Sequence, residues 1–145
     1  MKSDSTKLSD LLVTQCPDGI IFADTSGQIS LWNAVAVQIF GYPENEALGK
    51  SLDIIIPEQL RAQHWHGFDQ AVQAGATKNK AALPTKAMRR DGTTIYVELS
   101  FAVVLDEDGT ALGATAQVRD ITDRFKKERA TRKRLRELEQ QLNDE

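Results

Sequence analysis

Leu8, Leu11, Leu12 and Gln15 recur at three- and four-residue spacing, which predicts a short amphipathic helix over 5–15, capped by Ser3 or Ser5. The next stretch, PDGIIFADTSGQISLWN, changes period. Ile20, Ile21 and Phe22 favour a strand, Asp24 to Gly27 supply turn chemistry, and a second strand follows. Asn33 is a natural N-cap for a helix running to Phe40 and stopped by Gly41. PENEALGKSL adds a brief helical turn ended by Gly49. Pro57 suits the first position of a longer helix, 57–74, with Gly75 as its stop. Three strands are predicted beyond it, near 79–89, 93–105 and 111–120, and Asp91-Gly92 is a strong hairpin signal between the first two.

In the middle strand Ile95, Val97, Leu99, Phe101 and Val103 alternate with Tyr96, Glu98, Ser100 and Ala102. Period two with one apolar face means a half-buried antiparallel sheet. The order strand–strand–helices–strand–strand–strand predicts an α+β domain with a five-stranded antiparallel sheet and helices on one face. The divisions are 1–16 as an N-terminal cap helix, 17–121 as the core domain and 122–145 as a C-terminal helix. In that last helix Leu135, Leu138 and Leu142 follow coiled-coil spacing, but the same register meets Thr131, Glu128 and Arg124 before it reaches Ile121. A seam with a polar middle predicts a marginal dimer, or one that can change register.

Composition narrows the class without naming a chemistry. At 145 residues, 41% hydrophobic and 27% charged, the chain has material for one core. Its single cysteine, Cys16, forms no internal bridge and no cysteine metal set, which fits a reducing cytoplasm. The polar start MKSDSTKLSD lacks the apolar stretch of a signal peptide, and no run approaches a membrane span. A net charge of −3 argues against wholesale nucleic-acid binding. The basic run RKRLRE, 132–137, is interleaved with Glu128, Glu137 and Glu139 and reads as a solvated coiled-coil face. Asp18 and Asp24 read as turn residues, and no phosphate-cradling loop, Ser–His–Asp motif, kinase signature or cyclase signature occurs. An enzyme is not expected.

The two histidines, His64 and His66, are the chemistry that remains. On a helix of about 100° per residue, Leu60, His64, Phe68, Ala71 and Gly75 fall within roughly 40° of one direction. His64 therefore faces the core, and His66 faces water beside Gln59, Ala62 and Gln70. An inward histidine is ordinarily a core imidazole satisfied by a carbonyl. It is also a good ligand for haem iron, provided that an apolar slot lies against it. Leu99, Phe101 and Val118 on the sheet, with Ile54, Ile55 and Ile56 before the helix, suit the wall of such a slot and suit a filled core.

DGIIFADTSGQISLWNAVAVQIFGY, then EALGKSL, then RRDGTTIYVELSFAVVLDEDGTALGATAQVRDITD together resemble a PAS domain across nearly the whole chain. Asp120-Ile121-Thr122 is similar to the Asp-Ile-Thr that ends the PAS core and begins its signalling helix. The resemblance implies the PAS fold and a cytoplasmic sensory or dimerisation module that regulates an output domain, homodimeric through 5–15 and 121–143. It does not fix a ligand, because fold does not fix function. PEQLRAQH resembles the stretch ending in the proximal haem histidine of FixL-type oxygen sensors, which implies haem b as a cofactor with His64 as its iron ligand. An Arg three residues earlier, here Arg61, is also seen in haem-PAS phosphodiesterases. The distal arginine that contacts oxygen in FixL-type domains falls on Leu83, so an apolar distal side would suit carbon monoxide, nitric oxide or redox sensing. The candidate binding set is His64, Leu60, Phe68, Leu83, Leu99, Phe101 and Val118, with Lys78 and Lys80 placed to meet propionates.

Light-sensing PAS domains of the LOV type carry a reactive Cys in a GxNCRFLQ-like helix and a flavin-contacting Gln two residues before the terminal Asp. Here Cys16 precedes the first strand and that second position is Val118, so LOV photochemistry is not expected. Trp32 and Trp65 read as packing residues, and Asp120 as a partner for a basic residue at the sheet–helix junction. Three classes stay open: a haem-based gas or redox sensor, a binder of another small molecule such as a carboxylate or apolar metabolite, and a cofactor-free dimerisation domain.

Overall fold

The structure, a computed structural model, describes residues 2–76 and 82–144. Its centre is one antiparallel sheet in the order β2-β1-β5-β4-β3. The strands are β1 (Gly19–Asp24), β2 (Ile29–Trp32), β3 (Leu83–Met88), β4 (Thr94–Leu105) and β5 (Ala111–Asp120). The helices are α1 (Lys2–Thr14), α2 (Ala34–Phe40), α3 (Glu44–Ala47), α4 (Arg61–Ala74) and α5 (Thr122–Asn143). The chain belongs to the α+β class that the sequence predicts.

Register shows how the alternation becomes a core. Leu99 of β4 lies between Leu83 of β3 and Val118 of β5, and Val118 in turn pairs with Gly19 of β1. Side chains of one parity on β4, from Ile95 to Phe101, therefore face α2–α4, while Tyr96 and Glu98 face the other side. Trp32, Phe40, Ile21, Ile29, Val97 and Val118 are the largest fully buried side chains. Each contributes about 1.5–3 kcal/mol through its removal from water.

Asn33 is the buried polar residue that ties three elements together. Its Oδ1 accepts from Ile20 N at 2.9 Å and from Ala36 N at 3.1 Å, which caps α2. Its Nδ2 donates to Val13 O at 2.9 Å and Asp18 O at 3.1 Å, which fastens the end of α1. Gly41, at φ 81°, closes α2 as predicted.

Several boundaries differ from expectation. The helix drawn over 57–74 starts as a 3₁₀ turn, Glu58–Leu60, in which Leu60 N donates to Pro57 O at 2.9 Å, and becomes α-helical only at Arg61. The first strand after it is β3, Leu83–Met88, shorter than 79–89; residues 77–81, with Lys78 and Lys80, lie outside the described residues. Pro84 is tolerated within β3 because that strand forms a sheet edge. α1 runs from Lys2, ahead of both Ser3 and Ser5, whereas a helix capped by either would start after it. Among the described residues Asp120 does not pair with a cation: its Oδ1 accepts from Thr122 N at 2.9 Å and Thr122 Oγ1 at 2.5 Å. The neighbouring cations go elsewhere, Arg119 to Asp18 and Arg124 to Glu98, each at 3.0 Å.

Candidate functional site

A cavity of about 400 Å³ lies between the inner face of the sheet and α4. Its floor exists because of small residues at inward positions. Ala23 of β1 pairs with Ala114 of β5, and Ala116 pairs with Ile21 on one side and Phe101 on the other. Ala116 occupies the central strand yet is only half-buried, because its methyl group looks into open space rather than onto a neighbour. The roof comes from Phe40 of α2, from Leu52, Ile55 and Ile56 of the 3₁₀ turn Leu52–Ile55 and its exit, and from Leu60, His64 and Phe68. The mouth is at β3, where Leu83 is 52% exposed.

The structure brings together Leu60, His64, Phe68, Leu83, Leu99 and Phe101 on this cavity. Val118 is fully buried but is not among the lining residues; it is packed core beside Leu99. His66 is exposed, so the two imidazoles separate as the helical wheel requires. The alanines of the floor, with Val97, were missed by sequence reasoning. Their only signal is alternation of small residues in GATAQV, where Ala114 and Ala116 share the parity of Val118.

His64 has the distinctive chemistry. Its Nδ1 is closed off from solvent, with no hydrogen-bond partner among the described residues. Burial pushes the imidazole below its ordinary value of 6.5, and the nearby carboxylates of Asp53 and Asp69 oppose that shift. The ring is held neutral at neutral pH, the form that binds a metal. It meets Trp65 edge-on at 4.7 Å between centroids and lies 6.0 Å from the Phe68 ring. Arg61 does not reach across the cavity: its Nε donates to Ile56 O at 3.0 Å and its Nη2 to Asp53 O at 3.3 Å.

A buried nitrogen without a partner normally costs about 1–3 kcal/mol, so the Nδ1 of a histidine that lines the cavity calls for an explanation. A neutral imidazole over an apolar, half-open cavity fits the needs of a haem group: one axial ligand and walls that exclude water. Among the described residues no cluster of three or more His, Cys, Asp or Glu could hold a bare metal ion. No helix there is long and apolar enough to cross a membrane.

A five-stranded antiparallel sheet with short helices roofing one face and a long helix leaving its central strand defines the class. Residues 8–121 match the family of the PAS fold, and the chain belongs to that family. It is 31% identical over 147 residues to the sensor protein FixL of Bradyrhizobium diazoefficiens, a match that takes in 98% of this chain and 27% of that protein. The chain thus spans about a quarter of the length of this relative. Among solved structures, the PAS domain of a protein from Colwellia psychrerythraea superposes with a TM-score of 0.73 at 21% identity, covering 83% of this chain and 99% of that one. An RNA-binding light-oxygen-voltage receptor superposes with a TM-score of 0.72 at 16% identity, covering 92% and 38%. At these identities the two structures establish the fold alone. The chain is a sensing module of the signal-transduction type.

Proposed function

We propose that this chain is a cytoplasmic haem-binding PAS sensor module, with His64 as the axial ligand, that relays the state of its cavity to α5. The observation that carries the reading is the neutral His64 imidazole on the wall of an apolar cavity, its Nδ1 without a hydrogen-bond partner among the described residues. The likeness to FixL over nearly the whole chain supports it. When bound, haem supplies an iron that takes a diatomic gas or changes oxidation state. Leu60, Phe68, Leu99 and Phe101 would exclude water from it. Leu83 offers no hydrogen bond at the mouth, which favours carbon monoxide, nitric oxide or a redox change over stabilised oxygen. A small molecule with one polar end is the second reading, favoured by Gln63 and Thr85 among the lining residues.

β4 is the physical link to output. Its inward Val97 and Leu99 line the cavity, and the residues between and before them hold α5 from the opposite face. Ile121 N donates to Tyr96 O at 2.9 Å, and Tyr96 N donates to Thr122 Oγ1 at 3.1 Å. The Tyr96 and Phe125 rings stack at 3.9 Å, and Arg124 pairs with Glu98 at 3.0 Å. A shift of β4 by the cavity's contents moves the first turn of α5. About 5.5 kcal/mol of differential binding suffices to reverse a strongly biased two-state helix arrangement.

The deciding experiment is hemin titration of the purified chain, followed by visible absorption, beside His64→Ala and His66→Ala. A Soret band that is abolished by His64→Ala and kept by His66→Ala is the expected result. No band in any sample, or a band indifferent to His64→Ala, overturns the assignment.

Leu11 of α1 and Leu138 of α5 are each about two-fifths exposed, and the leucines flanking them more so, which supports homodimerisation through 5–15 and 121–143. Leu11→Glu combined with Leu138→Glu is expected to halve the mass seen in sedimentation. An unchanged mass would remove both helices from the interface.

A further inference from the structure

We propose that Trp65 and Asp53 are positioning residues for His64: together they set the roll of α4 about its axis, which packing alone does not do. This rests on the reading of His64 as a ligand. The reason lies in the cavity. A helix over a filled core is oriented by several side chains locked among their neighbours. α4 lies over empty volume, and Phe68 is its one fully buried side chain among the described residues. A single anchored ring leaves rotation about the helix axis poorly determined.

Trp65 supplies the missing restraint. Its Nε1 donates to Asp53 Oδ1 at 2.7 Å, which fastens the helix to the 3₁₀ turn Leu52–Ile55. Its six-membered ring lies on Gly27 in the β1–β2 turn, so closely that a Cβ there would come within 2.2 Å of Cη2 and 2.4 Å of Cζ3. Gly27 is at φ 84°, so the turn geometry and the indole both require glycine. The same ring touches His64 edge-on. Trp65 is thus pinned at its polar and apolar ends to parts of the fold outside α4, and the adjacent residue is the ligand. Arg61 reinforces the arrangement from the previous turn of α4 through the carbonyls of Ile56 and Asp53. Outer residues that orient a ligand histidine commonly matter by one to two orders of magnitude in affinity.

The test is the rate at which hemin leaves the loaded chain for a haem-scavenging globin. Trp65→Phe and Asp53→Ala are expected to release it about tenfold faster, with a shifted Soret maximum. Asp53→Asn keeps an acceptor oxygen and is expected to stay within about twofold of the unsubstituted chain. Trp32→Phe is the control, because it removes a different indole bond, Trp32 Nε1 to Tyr42 O at 3.0 Å, and leaves that of Trp65 to Asp53 in place. Equal effects of Trp65→Phe and Trp32→Phe, or none from Trp65→Phe, overturn the proposal. An unsubstituted chain that takes up no hemin overturns the haem reading alone. The restraint is then decided in the ligand-free chain by nuclear Overhauser contacts between the His64 and Phe68 rings. Trp65→Phe must weaken them and Trp32→Phe must not; contacts unchanged by Trp65→Phe overturn the proposal.

Discussion

Alanine in place of Gly113 is expected to cost at least about 3 kcal/mol, a large part of the 5–15 kcal/mol that holds a domain of this size together. Gly113 sits on β5 opposite Asp24 of β1, at φ 154°, where a side chain is strained before any contact is counted. A Cβ there would lie 2.0 Å from the carbonyl oxygen of Ala23 and 2.9 Å from the Cα of Asp24. Those atoms are backbone of the neighbouring strand, so nothing flexible can give way. The β1–β5 pairing must part, and the cavity floor rests on that pairing. Gly67 provides the contrast. It lies in α4 with open space around its would-be Cβ and ordinary helical φ. Gly67→Ala should therefore stabilise by about 0.5–1 kcal/mol. Chemical denaturation of both variants checks the pair, and a Gly113→Ala midpoint equal to the parent's would refute the steric account.

The second large effect concerns the cavity. Ala116→Leu would place three further carbons into the space above the central strand. Removing them from water contributes up to about 2 kcal/mol, set against about 1–3 kcal/mol of strain if the space is tighter than it looks. Stability should change little, or rise. Binding should change greatly, because the added side chain projects from the floor toward His64 and Phe68. Hemin affinity is expected to fall more than tenfold while the unfolding midpoint holds or increases. Unchanged affinity beside unchanged stability would mean that the ligand does not occupy this space. The two substitutions separate what keeps the sheet together from what keeps it hollow.

Much of the architecture was legible because the signals were local. Asn33 and Gly41 bracket α2 through bonds made within a few residues of each. The alternation from Ile95 to Val103 gives β4 an inward and an outward face that any correct pairing must preserve. Spacing on one helix was enough to send His64 inward and His66 outward. Where prediction slipped, longer-range contacts were responsible. The 3₁₀ start of the His64 helix carries no distinct residue signature. Asp120 looked like half of an ion pair, but its own chain returns Thr122 to it two residues later. Trp65 read as filler because its partner, Asp53, and its platform, Gly27, lie in separate segments.

The sequence by itself determined the PAS class, the antiparallel sheet, the direction of each imidazole and the leucine register of the last helix. The PAS class rests on the resemblance of whole segments; the others follow from periodicity or from side chains acting on neighbouring backbone. Only the tertiary structure decided that the interior is hollow. A run of alanines is neutral in sequence, since it can sit beneath a large side chain or beneath nothing. Whether it makes a cavity depends on what the opposite layer brings down onto it. Here that layer is α4, which contributes one fully buried ring and leaves the space beneath His64 open.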